Sequence, residues 1–312
     1  MINAASYHQS MHVSESDLEP SAGNCPLCGD ASRSPIALVQ RGPDVTLLRC
    51  GRCHGASADR FPKQAVLDRY YAAYYAEENP IRNTEANVTL DKPERLAQRI
   101  LEHYESEPST RTVRILDFGG GDGTLSKALA QQLLSSCADA AHIRLCDYSA
   151  VPFRSDDGRL RVEVAEDLAS VGEGSFDIAI ASGILEHLCD PVPELQRMLS
   201  LLRPGGIFYA RTPAVAEILR LTSRLGIDFD ITFPGHVHDL GQAFWDGALR
   251  NLPLVGSFRL IRSTPSIVET TFDRNPARTV IAHLAKAPWW LLGRRYKMVG
   301  GWEVIVEKER GE

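Results

Sequence analysis

The chain lacks any apolar run close to the roughly 18 residues that a membrane-spanning helix needs. Its most apolar stretch, Pro288 to Gly293, is far too short. The N-terminus carries no basic region followed by an apolar core, so we expect no secretion signal and a cytoplasmic location. Positive charge is not in surplus either: the formal net charge is -6 over 312 residues, which argues against a general nucleic-acid binder.

A dinucleotide-binding fingerprint is also missing, although a glycine-rich turn is present. An apolar strand ends at Asp117, and glycines follow at positions 119, 121 and 123 before a helix with apolar spacing. The G-x-G-x-x-G pattern fails because its third glycine position falls on Thr124 or Ser126. Glycine lets backbone N–H groups approach a ligand closely, and a carboxylate at Asp117 suits a cationic amine rather than a pyrophosphate.

Three further segments follow at regular intervals. The strand Ala141 to Asp147 ends in an acid, which can accept hydrogen bonds from both ribose hydroxyls, and Tyr148 beside it can lie against an adenine face. A buried strand ending at Ser182 precedes the run Leu-Glu-His-Leu-Cys-Asp-Pro over 185–191. A proline–glycine turn then leads into the strand that ends near Ala210.

These four segments resemble, in order and spacing, the class I S-adenosylmethionine-dependent methyltransferases over residues 95–312. The resemblance implies an α/β, Rossmann-like sheet of seven strands whose last strand is antiparallel, here preceded by a small zinc ribbon. It implies S-adenosylmethionine as cofactor. The cofactor-binding residues that it indicates are Asp117, Gly119, Gly120, Gly121, Asp147, Tyr148, Ser182 and His187.

One position departs from the family pattern. Where the family often has an aspartate for the adenine amino group, this chain has Val164. Glu166, Asp167 or a backbone carbonyl could substitute, and two solvated carboxylates at a helix start explain the same residues equally well.

Four of the seven cysteines form two C-x-x-C pairs separated by 21 residues: Cys25, Cys28, Cys50 and Cys53. Two such knuckles indicate a structural zinc ribbon with four thiolate ligands, which leaves no open coordination position for chemistry. Disulfides fit poorly because we expect no secretion signal and the other cysteines are scattered. His54 is a weaker alternative ligand.

The order of segments predicts four regions: a mobile tail over 1–22, the ribbon over 23–62, a helical lid over 63–108 and the methyltransferase domain over 109–312. The lid region includes a tyrosine-rich helix and a second helical stretch, 82–107, interrupted at Pro93. This order resembles bacterial methyltransferases of sugar and surface-polysaccharide biosynthesis, including deoxysugar C-methyltransferases. The resemblance implies that Tyr74 and Tyr75 cover the cofactor or acceptor, whereas helical spacing also fits packing onto the core.

The loop over 233–239 carries the candidates for a general base. In the deoxysugar C-methyltransferases this region reads roughly Y-H-E-H-x-x-Y-F-S, and His236 matches its second histidine. Gly235 replaces the glutamate, which favours an oxygen acceptor over carbanion-type C-methylation. His236 is therefore the first catalytic candidate and His238 the lesser one; a structural role in the loop is the alternative for both.

We expect a small-molecule acceptor, with a hydroxyl of a sugar, nucleotide-sugar or glycan precursor as the first candidate. An RNA methyltransferase is the alternative, because a zinc ribbon also precedes some such enzymes. The ribbon is only mildly basic, however, and nucleic acid is an improbable partner. A catalytically idle scaffold is the third reading, and the intact Asp117 turn argues against it. The oligomeric state stays open.

Overall fold

A computed structural model describes residues 2–3, 13–75, 90–105, 112–147, 157–171, 176–230 and 233–310, without the side chains of 2–3, 73–75 and 229–230. Its strands are β1 Ile2–Asn3, β2 Arg33–Gln40, β3 Val45–Cys50, β4 Ala56–Ala58, β5 Thr112–Phe118, β6 Ala140–Cys146, β7 Leu160–Ala165, β8 Phe176–Ser182, β9 Leu202–Ala214, β10 Phe229–Asp230, β11 His238–Asp239, β12 Phe258–Pro265 and β13 Gly300–Lys308. Its α-helices are α1 Gln64–Tyr75, α2 Pro93–Leu101, α3 Thr124–Ser136, α4 Pro191–Leu201, α5 Ala216–Arg224, α6 Gln242–Asn251 and α7 Pro276–Leu292.

The main sheet has seven strands in the order β12-β13-β9-β8-β5-β6-β7. Neighbours from β9 to β7 are parallel, whereas β13 runs antiparallel to both β9 and β12. Strands β5 and β8 are apolar and central, with Ile115 and Ile178 wholly buried, as expected for strands covered on both faces. This arrangement confirms the predicted fold class. The carboxyl ends of β5, β6 and β8 therefore meet at one edge, where open α/β sheets bind ligands.

The ribbon is joined to the main domain by a shared sheet. Its strands β2 and β3 form a hairpin, β4 pairs with β3, and β11 from the main domain adds to β4. His238 lies opposite Ser57 in that pairing. Cys25, Leu27 and Cys53 belong to the same hydrophobic cluster as Phe244 of α6. The ribbon thus packs as a part of the main core.

The predicted mobile tail is wrong for its described residues, 13–22. The side chains of Val13 and Leu18 are buried. The Gln40 side-chain amide accepts a hydrogen bond from the Val13 N–H and donates one to the Val13 carbonyl, both at 3.0 Å. Because these contacts fix backbone and side chain together, this segment is a packed part of the ribbon.

The second helical stretch also differs from its prediction. Pro93 does not interrupt a helix but occupies the first turn of α2, where its missing N–H costs nothing and its fixed φ favours the helix. Leu96 and Ile100 bury the apolar face of α2 against α3. Residues 82–89 and 106–107, part of the predicted stretch, lie outside the described residues.

The long connection between β12 and β13 forms α7, which lies over the edge where β9 ends and β13 begins. Thr279 is the one buried side chain of this helix. Among the described residues, no helix is both long and apolar enough to cross a bilayer.

Candidate active site

A cavity of about 340 Å³ opens at the carboxyl ends of the central strands. The ends of β5 and β6 form one wall, and one face of α1 forms the opposite wall. Five predicted cofactor residues line it: Gly119, Asp147, Glu166, Asp167 and His187. Four residues of α1, at helical spacing, complete it: Gln64, Leu67, Asp68 and Tyr71.

Two features of the turn after β5 explain its glycines: tight packing at one part and open space at another. Gly119 has φ +69, and a Cβ there would collide with the Ile184 side chain. A Cβ at Gly120 would meet the Asp117 carboxylate. Gly121 differs, because its φ is +57 but the space around a Cβ is open. The turn therefore keeps room for a ligand at Gly121 while it packs tightly at the two preceding residues.

Asp117 is the most unusual carboxylate of the turn. It is 2% exposed, and its Oδ2 has no hydrogen-bond partner within the described part of the chain. Burial raises the pKa of Asp117 to about 6, a shift that hydrogen bonds from Ser126 oppose. A buried carboxylate oxygen that lacks a partner is costly unless a ligand supplies one. A cationic amine is the group that such an oxygen fits.

Asp147 follows β6 and lines the same cavity. Its Oδ2 accepts a hydrogen bond of 2.9 Å from the Gly121 N–H, which ties the ends of the first two parallel strands together. Tyr148, the predicted adenine neighbour, lies outside the described residues. Glu166 and Asp167 both line the cavity, so the structure leaves both as candidates for the adenine amino group.

For two other predicted cofactor residues, Ser182 and Tyr75, the structure shows no contact with the cavity within the described part of the chain. Ser182 lies at the end of β8, opposite Arg211 of β9, and is not among the residues lining the cavity. Tyr75 ends α1, and its side chain is outside the described part of the chain.

A cluster of titratable groups adjoins the cavity at His187. The His187 Nδ1 lies 2.7 Å from the Gly235 carbonyl oxygen and 3.1 Å from the Tyr71 hydroxyl. Because a carbonyl only accepts, Nδ1 carries the proton, and in the neutral ring Nε2 carries the lone pair. The His236 ring packs edge-on against His187 with centroids 4.6 Å apart. The loop after β10 thus brings His236 to the cavity wall.

Glu186 is a functional candidate that sequence reasoning missed. Its side chain is 4% exposed, and a carboxylate oxygen lies within 4.8 Å of ligating nitrogens of His187 and His236. Burial raises the pKa of Glu186 to about 8, although Arg211 opposes the shift. A carboxyl and two imidazoles can hold a proton between them, and the same donor types can bind a divalent metal. Its place before His187 in the motif was the available signal.

His238 does not join this cluster, so the structure argues against the prediction that His238 is a catalytic residue. It is 2% exposed, and its Nδ1 lies 2.8 Å from the Ser57 hydroxyl of β4. Desolvation lowers its pKa to about 4, so the ring is neutral near pH 7. His238 therefore secures the ribbon to the main domain.

The tyrosines of α1 divide between the two roles considered for this helix. Tyr70 is 3% exposed and packs on the backbone of the His236 loop, since a Cβ at Gly235 would sit 2.7 Å from the Tyr70 hydroxyl. Tyr71 faces the cavity and His187. Tyr70 thus packs onto the domain, whereas its neighbour Tyr71 is at the site.

The four ribbon cysteines converge as predicted. The Sγ atoms of Cys25 and Cys53 are 3.7 Å apart, and those of Cys28 and Cys50 are 3.5 Å apart. Zn–S bonds of about 2.3 Å in a tetrahedron place the sulfurs roughly 3.8 Å apart, close to both values. The Cys50 Sγ also accepts backbone N–H bonds from Arg52 and Cys53, the arrangement that stabilises a thiolate. The donor set fits a structural zinc ion.

Comparison with known proteins gives matches to methyltransferases. A family model described as a methyltransferase domain matches residues 75–253, more than half of the chain. The ubiquinone biosynthesis O-methyltransferase of Caulobacter sp. (strain K31) is 27% identical over 164 residues, covering 50% of this chain and 64% of that protein. The protein of the same name from Xanthomonas campestris pv. campestris (strain B100) is 32% identical over 127 residues, covering 36% and 50%.

The chain thus spans about half to two thirds of the length of these curated relatives. Among solved structures, the plantazolicin methyltransferase BpumL in complex with SAH aligns with a TM-score of 0.45 at 13% identity, covering 79% of this chain and 99% of that one.

Proposed function

We propose that this chain, which belongs to the methyltransferase domain family, transfers a methyl group from S-adenosylmethionine to a hydroxyl of a small-molecule acceptor. The buried Asp117 oxygen at the glycine turn carries the proposal. It is a buried negative group directly before Phe118 and Gly119, which line the cavity, and it lacks a partner within the described residues. The missing dinucleotide fingerprint argues against a pyrophosphate there.

In this proposal each wall of the cavity has a separate task. Asp117 holds the amino group of the cofactor, and Asp147 accepts hydrogen bonds from the ribose hydroxyls. Glu166 or Asp167 meets the adenine edge. When bound, the cofactor supplies a methyl group on a positively charged sulfur. Because the transfer is a direct displacement, the main contribution of these residues is to fix the geometry of the two reacting groups.

His236 is the residue we assign to remove the proton of the acceptor hydroxyl. It packs edge-on against His187, which lines the cavity. Glu186, with a pKa of about 8, is protonated at neutral pH and provides a buried neutral neighbour rather than a competing charge. The proton moves from the hydroxyl to an imidazole nitrogen as the methyl group is transferred.

The acceptor class that we propose is a sugar, nucleotide-sugar or glycan precursor, on the resemblance of the ribbon, tyrosine-rich helix and domain order to methyltransferases of polysaccharide biosynthesis. A small-molecule acceptor, rather than RNA, is also supported by the arginines of the ribbon, because three of them are engaged within the protein. Arg33 donates to the Ser57 and Ala58 carbonyls, and Arg49 and Arg41 pair with Glu217 and Asp228. Such arginines are less available for a phosphate backbone.

We further propose that Cys25, Cys28, Cys50 and Cys53 hold one zinc ion whose role is to stabilise the ribbon. The two Sγ–Sγ distances and the N–H bonds to Cys50 support this proposal. With four thiolates, the ion has no site for a substrate.

The test combines a product assay with a variant of the base. Incubation with S-adenosylmethionine and a panel of nucleotide sugars and glycan precursors should release S-adenosylhomocysteine and yield a methylated product by mass spectrometry. Removing a general base typically lowers the rate by about 10²–10⁴, so His236→Ala should lower turnover by that order. Cofactor affinity should stay near that of the wild type, because the residues proposed to bind the cofactor are Asp117, Asp147 and Glu166 or Asp167, and not His236.

His283→Ala is the matched control, since His283 is an exposed histidine of α7 and should keep full turnover. Near-normal turnover in His236→Ala would show that positioning alone, or another group, carries the reaction. If EDTA abolished turnover and Mg²⁺ restored it, the cluster of Glu186, His187 and His236 would bind a metal ion instead of transferring a proton.

A further inference from the structure

Helix α7 presents its most apolar side chains to solvent. Five of them, called the α7 face below, are exposed: Val280, Ile281, Leu284, Leu291 and Leu292. At about 100° per residue they fall within roughly 120° of arc, so they form one continuous stripe. Leu291 is 90% exposed, and Trp290 beside the stripe is 75% exposed.

The inward side of α7 holds Trp289, whose ring packs edge-on against Trp302 of β13, and polar groups that hydrogen bonds fix to the domain. Lys286 Nζ donates to the Ser266 carbonyl, the Ser266 hydroxyl and the Ile267 carbonyl at 2.6, 2.9 and 3.1 Å. The hydroxyl of the buried Thr279 bonds the Thr270 hydroxyl at 2.8 Å. These contacts set the rotation of the helix about its axis. A helix with polar groups inward and leucines outward has the reverse of the usual amphipathic arrangement.

The apolar surface continues next to α7. Leu221, Leu225 and Ile227, at and after the end of α5, are exposed. Leu221 and residues 295–298, which follow α7, line the same surface depression. Contiguous exposed apolar surface of this kind marks an interaction site in a soluble protein.

Charge indicates what the surface contacts. Residues 276–298 include five basic side chains and no Asp or Glu, in a chain of net charge -6. Arg220, Arg224, Arg295 and Lys297 surround the depression. Its one carboxylate, Glu217, is paired with Arg49 and Arg220. Arg295 and Lys297 therefore rim the depression, whereas Lys286 is turned inward and Arg294 pairs with Asp246.

We propose that the α7 face, together with this basic rim, binds the surface of an anionic phospholipid bilayer. An apolar stripe with tryptophan and arginine at its margin is what a helix needs in order to lie in the interface, with leucines among acyl chains and cations at the headgroups. A second copy of the chain is a poorer occupant, because a two-fold dimer through this face would bring the same basic groups together.

The test uses sucrose-loaded vesicles of pure phosphatidylcholine and of phosphatidylcholine with phosphatidylglycerol, sedimented with the full chain. We expect binding to the anionic vesicles, weaker binding to the neutral ones, and loss of binding at high salt. Leu284→Glu combined with Leu291→Glu should abolish sedimentation. The double variant Arg295→Gln with Lys297→Gln should weaken partitioning by roughly fivefold per charge, which corresponds to about 1 kcal/mol each.

Val255→Glu is the matched control, because Val255 is 77% exposed on the loop before β12, away from α7. It should sediment like the wild type, and melting temperatures should show that every variant folds. Absence of wild-type binding to anionic vesicles, or equal binding by the leucine double variant, would overturn the proposal. A dimer in light scattering that the leucine double variant dissociates would assign the face to a second copy instead and would overturn it as well.

Discussion

The two halves of the cavity are built in different ways. The half that we propose for the cofactor comes from the ends of neighbouring parallel strands, where Asp117, the glycine turn and Asp147 lie within one stretch of chain. The half that we propose for the acceptor is assembled from distant segments: Tyr71 of α1, His187 after β8 and the loop that carries His236. The first half depends on local backbone geometry, and the second depends on the ribbon, the helix after it and the main domain packing together.

The ribbon is the element that links the two halves. Strand β4 pairs with β11, two residues after His236, and the Ala58 N–H donates to the Val237 carbonyl at 2.9 Å. The N–H groups of Val237 and His238 in turn donate to the Glu186 carbonyl. The ribbon, whose proposed metal ligand Cys53 lies 11 residues before α1, thus also supports the loop that carries His236.

The largest effect should come from breaking the local half. Gly121→Val should remove saturable binding of S-adenosylmethionine, because Gly121 has positive φ and any side chain would fill the open space at the turn. Calorimetric titration measures the affinity for S-adenosylmethionine. Gly226→Val is the matched control: Gly226 has φ +77 and equally open surroundings after α5, so it should keep cofactor affinity. Equal losses in both variants would mean backbone strain, not ligand space, explains the result.

This contrast also explains how much could be predicted from the sequence. The class of sheet and the candidate cofactor residues follow from runs of apolar residues and from one turn. These are local patterns, and the structure confirms the fold they predict. The cysteine spacing likewise predicted the convergence of the four thiols.

The remainder depends on contacts between residues far apart in sequence. His238 and Ser57 are 181 positions apart, and nothing near either residue indicates that they pair. The role of Pro93 was misjudged because a proline that starts a helix and one that breaks a helix look alike without the preceding backbone. Val13 is apolar in a polar segment, and only its contact with Gln40 shows that the segment is packed.

The next effect tests the link through the ribbon. The wild type should hold about one zinc ion per chain, and Cys50→Ser should hold less. Elemental mass spectrometry measures the zinc content of both proteins. Because β4 supports the His236 loop, turnover should fall by about 10²-fold, the size expected for a displacement near 1 Å. Cofactor binding should remain measurable, since Asp117 and Asp147 are on other strands. Cys137→Ser changes an exposed cysteine and serves as control. Full zinc occupancy in Cys50→Ser would contradict the metal site.

A smaller effect concerns the pH dependence of cofactor affinity. Burial raises the pKa of Asp117 to about 6, so below that pH the carboxyl is increasingly neutral and binds a cationic amine less well. Affinity should therefore decline as pH falls from 7 to 5, approaching tenfold per pH unit at the acid end. Asp117→Asn should bind weakly with little pH dependence. If the affinity of the wild type did not change between pH 7 and 5, Asp117 would not be the group that binds the amine.

The smallest effect concerns stability in the acceptor half. Glu186 has a folded-state pKa of about 8, above the usual value of an unfolded glutamate, because burial disfavours its charge. The folded state then binds more protons, so stability decreases as pH rises from about 4.5 to 8. Glu186→Gln should reduce that decline in melting temperature, whereas Glu166→Gln, at an exposed position, should leave it unchanged. Parallel declines in wild type and Glu186→Gln would exclude Glu186 as the source.

The most direct test of the whole account is a crystal structure of the full chain with S-adenosylhomocysteine. It should show the amino group of the ligand hydrogen-bonded to Asp117 Oδ2, the ribose at Asp147 and the sulfur directed towards His187 and His236. A ligand bound elsewhere, or bound at this cavity with its amino group away from Asp117, would contradict the account.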